Sequence, residues 1–279
     1  MFFINHFAYN KIKRSDNIRT TNKKTKENLE YMQKMYQEGI SIKKISEIIG
    51  IGYGTANNWL KEMNIKFRHK GPKSLIENEN YFETINSNNK AYWLGFIMAD
   101  GCISTYANQY SLKIHISIKD KILVDKFLKD IKSSNKTLYK PNNGNGSYYV
   151  SLTSKKMVTD LMKYGIKEAK SGAEIFPTNI PKEYEFDFIR GYFDGDGLAG
   201  DKKIGFIGSK SLLESILNKL DINSNIYKCT NTNIELFYFQ TASKKNINTF
   251  FNKIYNDNVF CLKRKKDKIL NILREYRGN

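Results

Sequence analysis

Two stretches decide the fold. They are Trp93-Leu94-Gly95-Phe96-Ile97-Met98-Ala99-Asp100-Gly101 and Ile189-Arg190-Gly191-Tyr192-Phe193-Asp194-Gly195-Asp196-Gly197. Each runs through apolar residues and a glycine to a small residue, then ends on Asp-Gly. On a helix, positions four apart share a face, so Gly95 lines up with Ala99 and Gly191 with Gly195. Two such small-residue faces can pack backbone to backbone, closer than the usual separation of about 8–10 Å between helix axes. The Asp-Gly pairs predict helix ends, with Gly101 and Gly197 in the left-handed cap conformation. Asp100 and Asp196 then stand side by side at two helix C-termini, where unpaired carbonyls carry partial negative charge. Two carboxylates, with the carbonyls of Ala99 and Gly195, form an oxygen donor set suited to a hard divalent cation. Asp194 lies two residues before the second of these acids, points elsewhere on its helix and is read as structural.

These nonapeptides resemble the paired LAGLIDADG motifs of homing endonucleases. The second copy matches through Phe193-Asp194-Gly195-Asp196-Gly197. The first opens on Trp93 and Leu94 and has Met98 where the family carries an acid. The resemblance assigns metal binding to the later acid, here Asp100. It implies a monomer of α+β class: a duplicated αββαββα unit with pseudo-twofold symmetry, the motif helices on the axis. It also implies hydrolysis of one phosphodiester on each strand of a double-stranded DNA site. The implied cofactor is magnesium, two or more ions, with manganese as a substitute, held between Asp100 and Asp196. The family places a lysine near each phosphate to stabilise developing charge. Position in the repeat nominates Lys170 and Lys263, and Arg264 and Lys265 follow the second closely.

Composition agrees with a polyanionic partner. The 279-residue chain carries a formal charge of +18, which points to nucleic acid ahead of an anionic membrane surface. No apolar run approaches the roughly 20 residues of a membrane span. Residues 1–10 lack the pattern of a signal peptide. A soluble, intracellular protein is expected. Cys102, Cys229 and Cys261 have no paired spacing, which fits reduced thiols better than disulfides or a zinc site. His6, His69 and His115 form no cluster.

In chain order, residues 1–26 read as a basic arm, disordered in the free protein. Residues 27–70 read as three short helices, the last two joined by the turn Gly50-Ile51-Gly52, and resemble the helix-turn-helix of recombinases and transposases. Tyr53, Thr55, Asn57, Asn58 and Lys61 on the third helix, with Arg68 after it, are the candidates to face DNA. Residues 71–82 read as a linker. Residues 83–177 and 178–279 are the two repeats. The match of Leu152-Thr153-Ser154-Lys155-Lys156 to Thr241-Ala242-Ser243-Lys244-Lys245 sets a period near 90 residues. Alternation in residues 111–118 predicts a half-exposed strand. Lys113, His115, Tyr148, Lys203 and Gln240 are assigned to the wet faces of two sheets that would fill a major groove.

Two other functions use the same features: a transcription regulator on this fold, and a maturase whose partner is intron RNA. The chain lacks an initial Cys and a terminal His-Asn, so an intron-encoded or free-standing protein is expected rather than an intein.

Overall fold

The computed structural model describes residues 23–65, 67, 74–141, 146–230, 232–255 and 259–276. Most of the arm, Arg68, His6 and His69 lie outside the described residues. The chain divides into two compact units, Met1–Pro72 and Lys73–Asn279.

The first unit holds α1 (Lys26–Gln37), α2 (Ile42–Ile49) and α3 (Tyr53–Glu62). Thr25 and Ser41 cap the first two helices by accepting from Asn28 N and Lys44 N, which satisfies amides that the first helical turn leaves unpaired. Gly50 ends α2 at φ 76°, a conformation that glycine adopts without a steric penalty. Met32, Met35, Ile45, Ile49, Ala56 and Leu60 close a small core between the three helices. Lys26, assigned from sequence to the arm, opens α1.

The second unit repeats one order of elements. The first copy is α4 (Asn88–Asp100), β1 (Gly101–Ser104), β2 (Ser111–Ser117), α5 (Lys121–Asp130), β3 (Leu138–Lys140), β4 (Ser147–Thr153) and α6 (Lys155–Lys163). The second is α7 (Glu185–Asp196), β5 (Gly197–Gly200), β6 (Lys203–Gly208), α8 (Lys210–Leu220), β7 (Tyr227–Lys228), β8 (Phe237–Thr241) and α9 (Lys244–Ile254); α10 (Lys263–Glu275) follows. This is the expected duplicated αββαββα order with one helix appended. The sheets match, in orders β1-β2-β4-β3 and β5-β6-β8-β7, with antiparallel pairing throughout. Sequence had not revealed the short strands β1, β3, β5 and β7, because two to four residues are too few to show a period.

The close seam between α4 and α7 is present. A Cβ on Gly95 would stand 2.0 Å from the Phe188 carbonyl oxygen, and one on Gly191 would stand 1.9 Å from that of Tyr92. Gly195 meets the Ala99 methyl, at 2.4 Å from an added Cβ. Real side chains cannot occupy those distances, so small residues here set the helix separation. Residues 91–98 of α4 are all buried. A helix enclosed on every side loses the amphipathic pattern of a surface helix.

The helix ends need a correction. Gly101 and Gly197 have φ −81° and −83°, extended and not left-handed. The chain passes straight from helix into β1 and β5. Glycine is required there for another reason: a Cβ on Gly101 would lie 2.6 Å from Ile97 Cγ2, and one on Gly197 would lie 2.2 Å from Phe193 Cδ2.

The linker also needs one. Ile76 bridges Ser133, Glu77 N donates to the Lys132 carbonyl, and Tyr81 and Phe82 are buried in the core of the first repeat. Residues 74–82 therefore belong to the second unit. The polar run Glu77-Asn78-Glu79-Asn80 hid the apolar anchors on either side of it.

Candidate active site and nucleic-acid interface

Asp100 and Asp196 are the last residues of α4 and α7. The seam brings these ends together. Asp100 Oδ2 lies 3.2 Å from the place where a Cβ on Gly195 would stand, so the glycine leaves room for the carboxylate of the other helix. Burial, and then the neighbouring Asp196, push the Asp100 carboxyl from 3.8 up to about 7. Burial raises Asp196 as well, against the pull of Lys170. Both shifts arise because charge is costly out of water and beside like charge. A bound cation would relieve that cost.

Two buried lysines flank the acids. Lys170 Nζ donates to the Ala99 carbonyl at 2.9 Å. Lys265 Nζ donates to the carbonyls of Phe193, Gly195 and Gly197 at 2.7, 3.0 and 2.7 Å. Burial pulls the Lys170 ammonium below its ordinary range and Lys265 from 10.5 down to about 8. The lysine near the second acid is thus Lys265. Lys263, the candidate from position in the repeat, is exposed at the start of α10. The helical period explains the difference: position 265 shares the buried side of α10 with Ile269 and Ile272, and position 263 does not. Apolar periodicity in residues 265–273 was the available signal.

Two tethers cross between the repeats, and sequence gave no sign of either. Arg264, near the end of the second repeat, donates to both carboxylate oxygens of Asp120 in the first, at 2.7 and 2.5 Å. Glu174, at the end of the first repeat, accepts from Ser209 N in the second at 2.9 Å and from Gly172 N at 3.0 Å. Partners this far apart in sequence leave no local pattern. Asp194 has the structural role expected of it: its carboxylate accepts from the Tyr92 hydroxyl at 2.7 Å and from Leu262 N at 2.6 Å. Its Oδ1 is buried without a hydrogen-bond partner, and burial raises this carboxyl to about 6.

Among the described residues no group of three or more His, Cys, Asp or Glu side chains forms a metal cluster. What the site offers is different in kind: two carboxylates, beside the main-chain carbonyls of Ala99 and Gly195, which already accept from Lys170 and Lys265. Hard cations such as magnesium take oxygen ligands of this type, and the crowded, partly buried carboxylates fit one.

Each sheet turns one face to its helices and one to solvent. In β2, Leu112, Ile114 and Ile116 are buried while Lys113, His115 and Ser117 are exposed. Lys203 and Gln240 are exposed on the outer face of the second sheet. Tyr148 requires correction. It pairs with Ile116 and packs against the core, whereas Tyr149 pairs with His115, ring centroids 5.2 Å apart. Strand parity decides this: Val150 and Leu152 point inward, so Tyr148 must do so too. A cavity of about 480 Å³ opens on the outer face of the second sheet and reaches Gly195 and Asp196. A smaller one, about 110 Å³, lies beside Asp100, His115 and Arg264. In the first unit, Tyr53, Thr55, Asn58 and Lys61 are exposed on α3, and Asn57 is half-buried.

Comparison with known families and structures agrees with this architecture. The LAGLIDADG-like domain family matches residues 87–164 and 183–255. The helix-turn-helix domain family matches residues 16–74. No curated protein matches the sequence. The I-LtrWI LAGLIDADG homing endonuclease bound to target DNA shares 13% identity over 72% of this chain and 92% of its own, with a TM-score of 0.51. I-WcaI bound to its DNA recognition sequence shares 17% over 75% and 97%, TM-score 0.48. Mesophilic variants of I-DmoI share 18% over 64% and 97%, TM-score 0.43. At such identities the likeness is one of fold. No described helix is long and apolar enough to cross a membrane.

Proposed function

This chain belongs to the LAGLIDADG-like family, and from that premise we propose that it is a site-specific double-strand DNA endonuclease acting as a monomer. The observation that carries the proposal is the meeting of Asp100 and Asp196 at the ends of two glycine-seamed helices, flanked by Lys170 and Lys265. Relatives of this fold are described as homing endonucleases bound to DNA, and one as a complex with DNA and calcium.

In this reading Asp100, Asp196 and the carbonyls of Ala99 and Gly195 hold divalent ions, magnesium in the first place and manganese as a substitute. Ions held there supply Lewis acidity to the scissile phosphates, lower the pKa of attacking water and stabilise the leaving oxygen. The protein does the rest. The pseudo-twofold axis presents one acid and one lysine to each antiparallel strand. Lys170 and Lys265 fix the carbonyls beside the acids and place positive charge where the phosphate accumulates negative charge. Lys113 and Lys203 neutralise phosphates along the sheets, so affinity falls with salt. His115, Tyr149 and Gln240 face the bases. The helix-turn-helix unit, through Tyr53, Thr55, Asn57, Asn58 and Lys61, adds an independent reading element. DNA as substrate places the work inside a cell.

Incubation of the full chain with a plasmid library of randomised sites and magnesium tests this. Recovery of one cut sequence supports it, with Asp100→Asn and Asp196→Asn each binding that sequence without cutting it. Cutting of both strands by either variant at the wild-type rate would overturn the assignment. Binding without cleavage by wild type would favour a transcription regulator.

A further inference from the structure

The two sheets present different chemistry at equivalent places. Gly101 and Gly197 open β1 and β5, which fixes the correspondence through the strand register. In the first sheet, one row across the strands is Cys102, Lys113 and Ser151, and the next is His115, Tyr149 and Leu138, the last of them exposed at the sheet edge. In the second sheet, the matching rows are Leu198, Gly205 and Gln240, then Ile207, Tyr238 and Tyr227. A lysine is replaced by glycine and a histidine by isoleucine. Leu198 is 45% exposed, Ile207 37% and Tyr227 51%. Leu198 and Ile207 thus put exposed aliphatic side chains where the first sheet has Cys102 and His115, and such side chains are costly in water unless something covers them.

A cavity lies over this face. It is lined by Leu198, Ile207, Tyr238 and Gln240, and its edge is formed by Gly195 and Asp196. A ligand that reaches Asp196 along this cavity therefore extends across these side chains. In a chain of formal charge +18, that ligand is the duplex itself. Within a major groove the apolar feature is the C5-methyl of thymine, and Gln pairs with adenine through N6 and N7. Gly205, between Leu198 and Gln240 in its row, is buried, and a Cβ there would stand 2.2 Å from the Phe239 carbonyl oxygen, so no side chain projects from this position.

We propose that the second sheet reads its half-site through thymine methyl groups, contacted by Leu198 and Ile207, with Gln240 on an adjacent adenine. The first sheet reads its half-site by polar contacts from Lys113, His115 and Tyr149. The target is then asymmetric in kind: an A·T-rich half against the second repeat and a half that carries guanine against Lys113. This inference rests on the DNA-acting function proposed above, and its test separates the two.

The test uses binding alone. The full chain selects duplexes from a randomised pool in a chelating buffer, and the selected site is resynthesised with deoxyuridine in place of thymine in one half at a time. Substitution in one half should weaken binding about three- to fourfold for each methyl removed, and substitution in the other half should have little effect. The exposed double change Leu198→Ser and Ile207→Ser should bind the thymine and uracil duplexes equally, while Lys113→Ala keeps the difference. Circular dichroism of each variant checks that it is folded. Equal binding of both duplexes by wild type would overturn the proposal, as would a uracil penalty that survives the double change, or a selected site without thymine. A chain that selects a site with this signature but does not cut it with magnesium leaves the methyl readout standing and removes the nuclease. A chain that selects no sequence removes both.

Discussion

The two repeats share a skeleton and differ in their working surfaces. At the seam they are near copies: Gly95 meets the Phe188 carbonyl as Gly191 meets that of Tyr92. At the lysines they diverge. Lys170 holds one carbonyl and Lys265 holds three. On the outer faces they diverge further, Lys113 and His115 against Gly205 and Ile207. A backbone-to-backbone contact admits few residues, so duplication is preserved there. On the function proposed above, a surface that meets an asymmetric ligand is freer to change, and the difference would mark where specificity lies.

The strongest way to break this symmetry is at the seam. Gly95→Val and Gly191→Val should each destabilise the second unit by about 3 kcal/mol or more, since overpacking against main chain has no side chain to yield. Thermal unfolding should show equal losses for the two. Gly54→Ala is the contrast: an added Cβ meets nothing within 4 Å, so its melting temperature should hold or rise slightly.

The lysines should separate the halves. Lys170→Met and Lys265→Met should each slow cleavage about 100-fold or more, as loss of a charge-stabilising donor does elsewhere. Only Lys265→Met should also destabilise the protein clearly, because it removes three hydrogen bonds from one buried ammonium. Lys263→Met, at an exposed position, should change the rate less than about twofold. Single-turnover cleavage beside thermal melts reads both effects.

A smaller effect follows from the acids without divalent ions. Asp100 titrates at about 7 when folded against 3.8 as its ordinary value. Between those values the folded chain keeps a proton that the unfolded chain has lost, so stability falls as pH rises across that window. Asp100→Asn removes the effect. It should raise the melting temperature at pH 8 by on the order of 5 °C, and should change it little at pH 4. Magnesium should narrow that gap by stabilising wild type. A tether gives a further effect: Arg264→Ala leaves the buried Asp120 carboxylate without its charged partner and should cost about 2 kcal/mol, with cleavage retained.

The acids and the seam were legible from the sequence because duplication repeats their spacing, and spacing of four on a helix has one geometric meaning. Alternation gave Lys113 and His115 their face. The same rule, applied to Val150 and Leu152, excludes Tyr148 from the outer face and admits Tyr149. Lys265 was legible in principle from the apolar period of its helix. The cap conformation at Gly101 and Gly197 was not, because Asp-Gly fits both a left-handed end and a direct passage into a strand. Glu174 with Ser209 and Arg264 with Asp120 were beyond reach: each pairing depends on how whole repeats dock.

The most direct test is anomalous scattering from manganese in crystals of the full chain bound to its selected duplex. A manganese peak is expected between the carboxylates of Asp100 and Asp196, at the scissile phosphates. A manganese bound elsewhere, or the two carboxylates held apart on the bound DNA, would contradict it.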